Sequence, residues 1–84
     1  MFYKSSVRKI EDFIESVIWK DFELELHLWL NDVRNSLEDP KGELDLYEVK
    51  KLQGCAEAIR NVLDLPETII KNIIIELEEE KKDE

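Results

Sequence analysis

Glu38-Asp39-Pro40-Lys41-Gly42-Glu43 puts a proline, a glycine and four charges into six residues with no apolar side chain, and it reads as a turn. Working outward from it, Leu37, Val33, Leu30, Leu26, Phe22 and Ile18 on one side answer Asp45, Val49, Leu52, Ala56, Ile59 and Leu63 on the other, each pair keeping a nearly constant index sum. Steps of three and four on both arms are the period of a helix buried along one stripe. Mirrored stripes about a turn predict an antiparallel helical hairpin: a long helix over about 6–38, a turn at 39–44 and a second helix over about 45–64.

The beginning of the second arm is marked. Asp45-Leu46-Tyr47-Glu48 fits a capping box, in which the Asp45 carboxylate accepts from first-turn amides while Glu48 reaches back, and Leu44 and Val49 occupy the positions of a hydrophobic staple. Asp64-Leu65-Pro66-Glu67 reads as another start, with Pro66 at the first helical position, where its missing N–H costs nothing. A third, shorter helix is predicted over about 66–80, with Ile69, Ile70, Ile73, Ile74 and Leu77 on one apolar face and Ile75 off it, hinting at a second covered side. The charged residues that follow, 81–84, read as a solvated tail.

One stretch offers a rival reading. From Phe22 to Leu30 the apolar residues hold every even position, as in a half-buried strand. No second stretch with that period exists to pair with it, and a lone strand would leave its backbone groups unpaired. The fold class is therefore all-α.

The first arm carries two stripes. Val7, Ile10, Ile14, Val17, Leu24 and Leu28 share one, and Ile18, Phe22, Leu26, Trp29, Val33 and Leu37 another, so two partner surfaces are expected. Since the first helix outruns the second, its early residues need a cover from the third helix or from a second subunit. A chain of 84 residues also makes only a small core, which points to a homo-oligomer or a larger protein assembly. Val7, Ile10, Ile14, Val17, Leu24, Leu28, Ile70, Ile73, Ile74 and Leu77 are the candidate oligomer surface. Phe22, Leu26, Trp29, Val33, Gly54, Ala56 and Ile59 are the candidates for close packing in the hairpin, with the small residues Gly54, Cys55, Ala56 and Ala58 making a groove for a ring from Phe22 or Trp29. Of the two tryptophans, Trp19 and Trp29, core is the commoner fate.

Chemistry is sparsely represented. His27 is the only histidine, and although Glu23 lies one turn before it, a zinc site needs three or four converging ligands. Cys55 is the only cysteine and, set among small residues, reads as a small buried hydrophobe in a reducing compartment. Asp21 interrupts the first stripe, where a polar group either sets register and oligomer state or marks a gap in contact. No phosphate loop, nucleophile elbow or metal-spaced Cys/His set is present, so no enzyme activity, cofactor or metal is expected. The net charge of −9 argues against direct binding to nucleic acid or an anionic membrane surface. There is no run of the roughly 20 apolar residues a membrane span needs and no signal peptide at the start, so export by that route is not expected.

Leu37-Glu38-Asp39-Pro40, Leu52-Gln53-Gly54-Cys55-Ala56-Glu57-Ala58-Ile59-Arg60 and Leu63-Asp64-Leu65-Pro66-Glu67 together resemble a pattern found in small helical-hairpin proteins of tailed bacteriophages, which tend to be encoded among head and tail morphogenesis genes. The resemblance covers the second half of the chain. It implies an oligomeric structural or interaction protein in virion structure or assembly, located in the host cytoplasm during assembly, with presence in the virion left open, and it carries no catalytic residues. The acidic balance suggests an alternative, a regulator that occupies a basic nucleic-acid-binding surface of another protein.

Overall fold

The computed structural model describes residues 2–38 and 45–82, and these are all-helical: α1 (Val7–Ile14), α2 (Val17–Leu37) and α3 (Leu46–Lys82), with no strand among the described residues. The alternating segment Phe22 to Leu30 lies inside α2. The expected turn at 39–44, with the staple residue Leu44, falls outside the described residues, as do 83 and 84.

Two helix boundaries differ from the reading of the sequence. The helix expected over 6–38 is two, broken at Glu15 and Ser16, and those expected over 45–64 and 66–80 are one. The charged residues Lys81 and Lys82 close the last turn of α3, where cations suit the negative helix end. By contact the single helical domain expected of the chain divides into two compact units: Met1–Lys20 with Asp64–Glu84, and Asp21–Leu63.

In the first unit Ser6 caps α1, its Oγ accepting from the Lys9 amide at 3.2 Å. At the other end the Ser16 amide donates to the Phe13 carbonyl at 2.9 Å, a tight closing turn, and the Ser16 hydroxyl donates to the same carbonyl at 2.6 Å. Ser16 Oγ also accepts from the Trp19 amide at 3.1 Å, so one side chain closes α1 and caps α2. Sterics of the core explain the break. On one unbroken helix Trp19 would project roughly opposite the stripe of Val7, Ile10 and Ile14, at 100° per residue. With the break, Trp19 is buried while Val7, Ile10 and Ile14 are half-buried, and the Phe13 and Trp19 rings meet across it at 5.3 Å, tilted by 42°.

The start of α1 and the segment before it lie beside the later part of α3 in the first unit. Ile73, 1% exposed, is the most deeply buried large side chain, and with Leu77 it shares the walls of a groove of about 430 Å³ with Tyr3 through Arg8. Two polar ties hold the leading segment: Asn72 Nδ2 donates to the Tyr3 hydroxyl at 2.9 Å, and the Phe2 amide donates to Glu76 Oε1 at 3.0 Å. The other oxygen of Glu76 is sealed from solvent, with no hydrogen-bond partner among the described residues.

Pro66 does not start a helix; it lies within α3 with its ring buried. An interior proline removes one amide from the ladder and crowds the carbonyl four residues back, at a cost of about 3 kcal/mol. Burial of the ring offsets part of that, and nearby the Thr68 hydroxyl donates to the Asp64 carbonyl at 3.1 Å.

In the second unit Leu30 and Ala56 are buried, and Leu26, Val33, Leu37, Val49, Leu52, Ile59 and Leu63 are half-buried. Helix α3 begins as the sequence indicates, with Asp45 Oδ1 accepting from the Glu48 amide at 2.8 Å.

Candidate interaction surface

Helix α2 presents apolar side chains that stay exposed among the described residues. Val17, Leu24 and Leu28 are 74%, 60% and 50% exposed, and by the 100° step they occupy the side of the helix turned away from Leu26, Leu30, Val33 and Leu37. Three members of the candidate oligomer surface are thus laid out together on one helix face. Asp21, Asn31 and Asn35, all exposed, fill the remaining positions of that face.

Polar groups border it in order. Lys20, His27 and Arg34, two cations and an imidazole, recur every seven residues along one flank, and the carboxylates of Glu25 and Asp32 along the other, all exposed. Glu25 Oε1 also accepts from Trp29 Nε1 at 3.0 Å, one turn along the same helix. That bond holds the indole against its own helix, and Trp29 is 52% exposed.

The other candidates are distributed differently. Ile73 is interior to the first unit and so is not a free surface, whereas Val7, Ile10, Ile14 and Ile70 are half-buried there. Ile74 and Leu77 are exposed, and so is Ile75, which has no second covered side. Among the residues assigned to close packing, Ala56 is buried and Leu26, Val33 and Ile59 half-buried, whereas Phe22 and Trp29 are exposed.

The small-residue groove is absent where it was expected. A Cβ added to Gly54 would meet nothing within 4 Å, and Gly54, Cys55 and Ala58 are exposed. Cys55 is therefore a surface thiol and not a buried hydrophobe; it borders a shallow recess of about 370 Å³ with Ser36, Glu48, Lys51 and Leu52. A run of small residues fits a close helix approach only when the run lies on the buried side, and here only Ala56 does.

His27 is exposed on α2, and among the described residues no three His, Cys, Asp or Glu side chains converge as a metal site requires. Among those residues no helix is long and apolar enough to cross a membrane. Sequence reasoning placed Ile18, Phe22 and Trp29 inside the molecule, and the structure adds them to its surface. Their hydrophobicity alone carried no signal for that; the carboxylate of Glu25 one turn before Trp29 was the available one. No protein-family model matches the chain, and no curated protein or solved structure matches it.

Proposed function

We propose that this chain is a non-enzymatic interaction protein that works as an oligomer, its second half of α2 and first half of α3 folded back as an antiparallel hairpin that displays apolar helix faces to protein partners. The single observation that carries the reading is the exposed face of Val17, Leu24 and Leu28 on α2, since contiguous apolar surface in water is a docking site or a liability. The hairpin reading is supported by the recess that Ser36 shares with Glu48, Lys51, Leu52 and Cys55, and by the mirrored burial of Leu26, Leu30 and Val33 with Val49, Leu52 and Ala56. The resemblance to small tailed-bacteriophage proteins supports a place in virion structure or assembly.

Light scattering of the purified chain at low and high salt tests the proposal. Apolar assembly persists or tightens as salt rises. The acidic regulator, for which the net charge of −9 is the support, stays monomeric alone and binds a basic partner in a manner that salt weakens steeply. A strict monomer at both salt concentrations and at high protein concentration overturns the oligomeric reading.

A further inference from the structure

Val17, Asp21, Leu24, Leu28, Asn31 and Asn35 follow one another along α2 at alternating steps of four and three, which is the seam of a coiled coil. Every one of them is exposed. We infer that a second copy of this chain docks on this seam, with the two α2 helices parallel and in register. The inference rests on the oligomeric reading above and adds to it the face, the occupant and the direction.

Charge decides occupant and direction. In a parallel pair, the residue just before each first seam position faces the residue five places later on the other helix. Lys20 then faces Glu25 of the second copy, an ion pair that symmetry makes twice, while the His27 imidazole faces Asp32 of the second copy as a hydrogen-bonding group. In an antiparallel pair each flank meets itself: Lys20 would face Arg34, and Glu25 would face Glu25 of the second copy. The helix therefore carries on its own two borders the charges that complement a parallel copy of itself and oppose a reversed one.

The polar seam residues act differently. Asp21 faces Asp21 of the second copy, a like-charge contact that costs stability, and packs beside Lys20 of that copy, which offsets part of the cost. Asn31 and Asn35 face their own copies, where an amide can both donate and accept. Only Val17, Leu24 and Leu28 supply apolar area, so the polar residues restrict register and leave a pair that separates readily.

Sedimentation equilibrium of the full chain, with three sets of variants, tests this. All substituted seam and flank residues are exposed in the single chain, so circular dichroism should show the parental helix content in each. Leu24→Glu with Leu28→Glu should weaken dimerisation at least about 100-fold, as removal of central apolar anchors does. Lys20→Glu should weaken it by roughly threefold to tenfold at low salt, and adding Glu25→Lys should restore it. An antiparallel pair would give the opposite sign, because Lys20→Glu would then face Arg34. In a Cys55→Ser background, Asn35→Cys should form a disulfide-linked dimer in oxidising buffer; in a reversed pair the two thiols would stand roughly 25 Å apart at 1.5 Å per residue. Oligomers that survive Leu24→Glu with Leu28→Glu would overturn the proposed seam and leave the oligomeric reading standing. Tightening by Lys20→Glu, or no crosslink at position 35, would overturn the parallel arrangement, and a monomeric parent would overturn both proposals.

Discussion

Ser16→Ala is the substitution that most directly tests why the first arm is two helices. The Ser16 hydroxyl makes two bonds, accepting from the Trp19 amide at 3.1 Å and donating to the Phe13 carbonyl at 2.6 Å. Loss of an N-cap side chain costs about 0.5–2 kcal/mol, and with the Trp19 amide part-buried the upper half of that range applies, about 1–2 kcal/mol. For a chain of this size about 1 kcal/mol lowers the melting temperature by roughly 4–8 °C, so thermal unfolding followed by circular dichroism at one fixed protein concentration resolves the effect. Ser16→Asp, which keeps the acceptor and adds a charge at the positive helix end, should recover most of the loss. The competing idea, that α1 and α2 want to be one rod and are merely interrupted, gives the opposite sign. Alanine is the better helix former, so an uninterrupted rod would gain stability and helix content in Ser16→Ala. An increase in either would refute the argument that the break exists to bring Trp19 into the core beside the α1 stripe.

Gly54→Ala should stabilise the chain by about 0.5–1 kcal/mol, because the site is helical and exposed and a Cβ there meets nothing; a loss of stability on urea unfolding would show a close neighbour. Asp45→Ala should cost about 0.5–2 kcal/mol through the lost bond to the Glu48 amide, and Asp45→Ser should keep most of the stability; equal melting of parent and Asp45→Ala would mean that α3 begins elsewhere. Ile73→Ala should be the most damaging truncation among these, about 2–5 kcal/mol in chemical denaturation, since the side chain is 1% exposed; a cost below about 1 kcal/mol would mean that the site collapses or is not core.

The sequence by itself determined the helical class, the cap at Asp45 and the apolar stripes that hold Leu26, Leu30 and Val33 on α2 and Val49, Leu52 and Ala56 on α3, because periodicity and capping are local and are written in neighbouring residues. The exposed face of Val17, Leu24 and Leu28 was legible as a stripe too, although not as a surface distinct from the one that carries Ile73. Tertiary structure decided the rest. Periodicity reports that a residue is apolar at helical spacing and says nothing about which face finds a neighbour, so Phe22 and Trp29 read as core and are exposed, while Ile73 read as surface and is buried. Pro66 and Ser16 show the same limit in the backbone: proline is a strong local stop and serine a weak one, yet the helix runs through the first, whose ring is buried, and breaks at the second, where Trp19 must turn inward. A preference worth about 1–3 kcal/mol at one position yields to the burial of a few large side chains, and which side chains those are is settled only when the segments meet.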